Sequence, residues 1–161
     1  MDVKHLFEDW SDLEARIAVI YERFASQFSQ AADVSDLWAS MSREEVHHAD
    51  LLSHAAGVAP HTAVDPSVVE HVGKLQAVVV RYEGEQAVMS GLQAALQATA
   101  DLEEAEAEHL HAHLSQLGDA GRDLATNPAM QHRSGAVLAH AVKLFGTPAL
   151  QQRVAWRRFR D

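Results

Sequence analysis

Residues 38–55 constrain the fold more than any other stretch of this sequence. Side chains spaced alternately three and four apart form one stripe there, which predicts a single face of an α-helix: Trp38, Met41, Glu45, His48, Leu52 and Ala55. Glu45 and His48 lie in the middle, one turn apart and on the same side. A buried carboxylate is unfavourable unless a cation pairs with it. The spacing therefore indicates either a helical-bundle metal site of the Glu-x-x-His type or a hydrogen-bonded Glu–His pair at a bundle edge.

A second stripe of the same kind precedes it and also contains a carboxylate. Its members are Phe7, Trp10, Glu14, Ile17, Tyr21, Phe24 and Phe28. If the two helices fold back on each other at a turn near residues 30–35, Glu14 and Glu45 lie at about the same height. Two buried carboxylates at one height repel each other unless a cation lies between them. Together the two stripes favour the metal site.

These residues resemble the first half of rubrerythrin and its ferritin-like relatives. In that family a Glu and a Tyr on one helix are followed by Phe-Ala, and the next helix carries Glu-Glu-x-x-His-Ala, as in residues 44–49 here. The similarity covers residues 6–56. It implies a ferritin-like four-helix bundle with a carboxylate-bridged pair of iron ions. It also implies that Glu14, Glu45 and His48 are metal ligands and that Tyr21 lies just outside them.

The chain has no cysteine, which limits both its chemistry and the resemblance. A disulfide, a thiol nucleophile and an all-thiolate iron or zinc site are excluded. Full rubrerythrins also carry a small iron domain held by two Cys-x-x-Cys pairs, which this chain cannot form. If the chain is redox-active, either another protein supplies its electrons, or the chain only oxidises and never turns over as a reductase. Eleven histidines give weak support to metal binding.

Composition predicts an all-α chain, and the lack of a secretory signal and of a membrane-spanning run makes the cytoplasm the default location. Only four prolines and eight glycines occur among 161 residues, and strand-like alternation is rare. Acidic residues outnumber basic ones, 23 to 13, which argues against a nucleic-acid partner. The N-terminus is unlike a secretory signal and no apolar run is long enough to cross a membrane, so no membrane partner is expected. We expect a four-helix bundle over residues 1–118 and a C-terminal helical extension over 119–161.

The predicted helix boundaries follow from turn and capping residues. Helix 1 is expected at about residues 3–29, and helix 2 from near Ser35 to just before Gly57. Asp65-Pro66 should open helix 3. The turn into helix 4 is placed near Ser90-Gly91. The alternatives are a break near residues 98–101, or one unbroken helix that pairs with another subunit.

Helix 4 contains the run LEEAEAEHLHAHL, rich in Glu and His. Glu106 and His109 repeat the Glu-x-x-His spacing and continue the stripe of Leu92, Ala95, Thr99 and Leu102, so they are the predicted ligands. The pair Glu108 and His111 would instead share a solvent face with Asp101 and Glu104. Glu103 is a replacement ligand, and a merely solvated helix face is the other interpretation of the run.

Helix 3 departs from the family pattern because its stripe has no carboxylate. The stripe consists of Val68, Val72, Leu75, Val79, Tyr82, Gln86 and Met89. The family has a Glu near the position of Leu75 or Gln76. Here Glu70 and His71 come one turn too early, while Glu83 and Glu85 lie too near the turn. A neighbouring side chain therefore replaces that ligand, or the site has an open position, or the second metal is lost.

The C-terminal part predicts two short helices, opened by Asn127-Pro128 and by Thr147-Pro148. They are expected to cover the bundle or a dimer seam. Arg153, Arg157, Arg158 and Arg160 suit the end of the last helix. The alternative is a basic tail that docks on an acidic partner or a compartment shell.

The functional hypothesis is Fe(II) oxidation by O2 or peroxide, of the ferroxidase or peroxidase type. Oxygen and nitrogen ligands without sulfur suit iron, with Mn and Zn as alternatives. A homodimer or a higher homo-oligomer is expected. The alternative is a non-enzymatic helical bundle, a scaffold or a sensor, with a structural or partial metal site.

Overall fold

The computed structural model describes residues 1–84, 91–107, 112–130 and 134–155, and these ranges are all-helical, as predicted. Their β-structure is limited to an isolated antiparallel bridge between Asp2 and Ala63. None of the helices in these ranges has the length and apolar character needed to cross a bilayer. The helices are α1 (Val3–Gln27), α2 (Ala32–Val58), α3 (Pro66–Glu83), α4 (Leu92–Glu106), α5 (Gly118–Thr126), α6 (Ser134–Phe145) and α7 (Pro148–Ala155), with short turns at Ala112–Leu114 and Pro128–Met130.

The first two helices form a long hairpin that buries both predicted stripes. Only Phe28 of the first stripe is half-buried, and every member of the second is buried. The connection between them is shorter than predicted, because α2 begins at Ala32 rather than near Ser35. α2 also continues beyond its predicted end, through Gly57 to Val58. Ser35 does not cap α2. Its Oγ donates to the carbonyl of Ala25 at 2.9 Å, which ties the start of α2 to the end of α1.

The third helix begins as predicted and ends at Glu83. Asp65 accepts a hydrogen bond from the backbone N–H of Ser67 at 2.8 Å. The fourth helix begins after Gly91, whose φ of 86° favours glycine. A break at residues 98–101 and one unbroken helix are therefore both wrong. Residues 85–90, with part of the predicted turn, lie outside the described ranges.

Aromatic side chains fill the core between these helices. The rings of Phe24 and Phe28 pack on Trp38 at centroid distances of 5.3 and 5.2 Å. Trp38 also donates through Nε1 to Thr99 Oγ1 at 2.8 Å, so it joins α2 to α4. α1 further contacts α3 and α4, and α3 packs on α4. These contacts fix the rotation of α1, α2 and α4 about their axes.

The C-terminal segments pack on the long helices. α5 and the turn at Pro128–Met130 contact α2, and α6 contacts both α2 and α4. Thr147 caps α7 as predicted, since its Oγ1 accepts from the N–H of Leu150 at 3.3 Å. Arg153 of α7 contacts Asp101 and Glu104. That face of α4 was predicted to be solvated and is instead partly covered. Residues 156–161, with the remaining arginines, lie outside the described ranges.

Candidate metal centre

The buried stripes of α1, α2 and α4 bring five titratable side chains together inside the protein. Their exposed fractions are between 0% and 5%. Glu45 and His48 therefore do not lie at a bundle edge, although the contact of that alternative is present, with His48 Nδ1 3.0 Å from Glu45 Oε2. The five side chains are Glu14 of α1, Glu45 and His48 of α2, and Glu103 and Glu106 of α4.

The five side chains form two groups that share one carboxylate. Glu14, Glu45 and His48 each offer a ligand atom within 4.8 Å of the others. Glu45, Glu103 and Glu106 do the same. Glu45 thus lies between two positions, each with three potential ligands.

The hydrogen bonds of His48 determine which of its ring nitrogens faces the carboxylates. Nε2 lies 3.0 Å from the carbonyl oxygen of Ala129. A carbonyl only accepts, so Nε2 carries the hydrogen and donates it. Burial lowers the pKa of His48 from 6.5 to about 4, so the ring is neutral at neutral pH. Nδ1 then presents a lone pair, 3.0 Å from Glu45 Oε2 and 3.9 Å from Glu14 Oε2.

Several carboxylate oxygens in the cluster accept no hydrogen bond from an N–H group or a hydroxyl in the part of the chain that the structure describes, and Glu14 lies within hydrogen-bonding reach of the carboxyl groups of Glu45 and Glu106. The oxygens without such a donor are both of Glu14, both of Glu106, and Oε1 of Glu45. Carboxylates can hydrogen-bond to each other only when one is protonated. Such buried acceptors are unfavourable unless protons or a cation neutralise them.

Burial and mutual repulsion raise the pKa values of these carboxylates. Burial raises the pKa of Glu14, Glu45 and Glu106 well above 4.5. The next largest cause in each case is the charge of a neighbour: Glu106 acts on Glu14, Glu14 on Glu45, and Glu45 on Glu106. Without a cation the cluster therefore takes up protons. With one, the same oxygens and the Nδ1 lone pair form a ligand set that suits iron, manganese or zinc.

Tyr21 lies against the cluster, where the resemblance placed it. Its hydroxyl donates to Glu103 Oε1 at 3.0 Å, and burial raises its pKa well above 10.0. The phenol is therefore a permanent donor at neutral pH. This hydrogen bond orients Glu103 beside Glu45 and Glu106.

The third helix adds no ligand from its described residues. Leu75 and Val79 of its stripe are buried apolar side chains. Glu83 accepts from Arg16 of α1 at 2.7 and 2.9 Å. Glu70 pairs with Lys74 at the surface at 2.8 Å, and the ring of His71 packs edge-on against His113 at 4.5 Å. Glu85 lies outside the described residues.

Only one of the two predicted ligands on the fourth helix, Glu106, lies among the described residues. Glu106 is buried in the cluster, as the stripe predicted. His109, with the competing pair Glu108 and His111, lies outside the described residues, so its role stays a prediction. Glu103, only a replacement ligand from sequence, lies one turn before Glu106 and faces Glu45 with it. Its spacing of three from Glu106 was the available signal.

The comparisons with known proteins add nothing to this description. No family model, no curated protein and no solved structure matches the chain. The resemblance to rubrerythrin therefore rests on the motif residues and stays a prediction. What the described residues establish is an all-helical chain with a buried cluster of glutamates and one histidine.

Proposed function

We propose that this chain binds two iron ions in the buried cluster and oxidises Fe(II) with O2 or peroxide. One observation carries the proposal. The lone pair of His48 Nδ1 and five buried carboxylate oxygens converge on one region, where the only hydrogen-bond donors for those oxygens among the described residues are neighbouring carboxyl groups that have taken up a proton. A cation satisfies all of them at once, whereas protons satisfy only some.

The two groups around Glu45 suggest which residues would hold each ion. Glu14, Glu45 and His48 Nδ1 would hold the first ion, and Glu45, Glu103 and Glu106 the second. Glu45 belongs to both groups and would bridge the pair. His109, if it lies on the face shared with Glu106, would complete the second set.

Charge supports two ions rather than one. The cluster contains four carboxylates. When ionised, they balance the charge of two divalent cations, whereas a single cation would leave excess negative charge in a buried site. The neutral histidine adds a ligand without changing this balance.

The surrounding residues prepare the cluster for metal. The Ala129 carbonyl holds His48 in the tautomer that leaves Nδ1 unprotonated. Tyr21 orients Glu103. Buried side chains of the same stripes, such as Trp10, Ile17 and Met41, exclude bulk water.

Bound iron would supply the one-electron oxidation chemistry with O2 or peroxide, and a chain without cysteine would need an external electron donor to be reduced again.

Anaerobic titration with Fe(II) followed by admission of O2 tests this proposal. Chelator-treated protein should bind about two Fe(II) per chain, as dinuclear bundle sites do, and should then oxidise them faster than Fe(II) in buffer. Zn²⁺ in a parallel titration serves as a redox-inert control. Saturable binding of both metals without accelerated oxidation would indicate a structural site. A folded chain with no saturable binding would support the scaffold or sensor alternative.

A further inference from the structure

A second set of metal-ligating side chains lies at the surface, where the start of α1 meets the α2–α3 connection. Asp2, His5 and His61 each offer one ligand atom, and these atoms lie within 4.8 Å of one another. The side chains of His5 and His61 are 61% and 70% exposed. None of the three residues belongs to the buried cluster, so this set is independent of the proposed iron site.

The backbone holds these residues in place. Asp2 pairs with Ala63 in an antiparallel bridge. The N–H of Val3 donates to the carbonyl of Thr62 at 3.0 Å, and the N–H of Val64 donates to that of Met1 at 3.3 Å. This short ladder brings the N-terminal residues beside a loop far along the sequence. The backbone positions of the three ligands are therefore set before any ion binds.

The two imidazoles converge on one carboxylate. His5 Nδ1 lies 2.7 Å from Asp2 Oδ1, and His61 Nδ1 lies 2.8 Å from Asp2 Oδ2. Asp2 also accepts from the backbone N–H of His5 at 2.9 Å. That hydrogen bond and those of the His61 and His5 rings hold the pKa of Asp2 well below 3.8. The carboxylate is therefore ionised, and a nitrogen atom faces each of its oxygens.

We propose that Asp2, His5 and His61 form a surface binding site for Zn²⁺. Two imidazoles and one carboxylate are ligands that zinc accepts, at about 2.0–2.2 Å each. Exposed imidazoles can turn by the small amount needed to admit an ion between nitrogen and oxygen. Three protein ligands leave a fourth, tetrahedral position for water on the solvent side. The bound ion would fasten the start of α1 to the α2–α3 connection.

Titration of untagged protein with Zn²⁺ at neutral pH tests this site. The wild type should bind one more Zn²⁺ per chain than the His61→Ala variant, with a larger Zn²⁺-dependent rise in Tm. His61 is highly exposed, so the variant should fold normally. His54→Ala is the matched control, because His54 is an exposed histidine of α2 outside the set. Equal Zn²⁺ stoichiometry and equal Tm response in wild type and His61→Ala would overturn the proposal.

Two more variants distinguish this site from non-specific charge attraction and from the buried cluster. Asparagine keeps an oxygen that can cap α1 but removes the charge, so Asp2→Asn should lose the same Zn²⁺ as His61→Ala. If Asp2→Asn loses a Zn²⁺ ion that His61→Ala still binds, the binding is non-specific charge attraction, and this result would also overturn the proposal. Glu45→Gln should retain this Zn²⁺ even if the buried cluster binds no metal at all, so the two proposals fail independently.

Discussion

At the scale of single residues, Glu45 decides the chemistry of the buried cluster because both ligand groups include it. Glu45→Gln keeps the shape of the side chain but removes its charge. We expect the variant to lose iron binding at both positions. The metal-free variant should be as stable as wild type or more stable by about 1 kcal/mol, because a buried carboxylate without full hydrogen bonding is removed. Iron stoichiometry and urea unfolding measure the two effects.

Asp50→Asn is the control for this prediction, since Asp50 is an exposed acid on the same helix. It should bind iron like the wild type and differ in stability by less than about 0.5 kcal/mol. An unchanged iron stoichiometry in Glu45→Gln would show that Glu45 is no ligand.

The sequence predicts part of the cluster, residue by residue. Glu14, Glu45 and His48 can be found because each interrupts an apolar stripe, and the stripe fixes the face on which a side chain lies. Glu106 follows from the same argument. The contact of Ala129 cannot be predicted, because a backbone carbonyl has no pattern in a sequence and its partner is far along the chain. Glu103 is ambiguous because acidic neighbours surround it.

At the scale of elements, the turn at Pro128–Met130 links the C-terminal segments to the cluster. Its Ala129 carbonyl accepts from His48. The N–H of Ala129 donates to Asn127 Oδ1 at 2.9 Å, and Met130 is buried. The turn is thus fixed at both ends, and it holds the histidine in its ligand orientation.

Asn127→Ala should weaken metal binding without touching a ligand. Loss of the Asn127 hydrogen bond should loosen the Ala129 carbonyl and destabilise the fold by about 1 kcal/mol. A partner that orients a ligand contributes about 10–100-fold in affinity, so we expect a decrease in this range. Competition with a chelator measures it. Thr126→Ala removes a neighbouring exposed side chain whose hydrogen bonds among the described residues stay within α5, and it should retain the affinity. Equal affinities in both variants would contradict the role of the turn.

Helix boundaries are less predictable than helix faces. The sequence places Ser35 at the start of α2, since serine is a common cap, but its hydroxyl bonds to Ala25 of the preceding helix. The sequence also predicts a solvent face for Asp101 and Glu104, yet Arg153 of α7 covers them. In both cases a contact between elements decides the outcome, and for Ser35 it outweighs a capping preference that is worth only about 1 kcal/mol.

At the scale of the whole molecule, the buried cluster should make the stability of the metal-free chain depend on pH. The pKa values of Glu14, Glu45 and Glu106 are raised above 4.5 in the folded state. The folded chain then binds more protons than the unfolded chain, so these groups stabilise at low pH and lose that contribution as pH rises through their folded pKa values. His48 acts oppositely. The contribution of His48 to the stability of the folded chain grows from about pH 4 to pH 6.5 and is complete above that range.

The clearest window therefore lies above pH 6.5, where the contribution of His48 is complete and the raised pKa values of the carboxylates still affect stability. We expect the free energy of unfolding of metal-free protein to fall as pH rises above 6.5, and to fall less steeply in Glu45→Gln. Added metal should reverse the trend, because it binds the ionised carboxylates. Urea unfolding at several pH values, with and without metal, measures this. Metal-free stability that rises across the window would contradict the account.

Anomalous X-ray scattering at the iron absorption edge can locate the two iron ions that we propose between the side chains of the buried cluster. Crystals loaded anaerobically with Fe(II) should show two peaks inside each chain. One should lie among Glu14, Glu45 and His48 Nδ1, and the other among Glu45, Glu103 and Glu106. An empty cluster in crystals that carry iron elsewhere, or carboxylates that contact each other with no metal between them, would contradict this proposal.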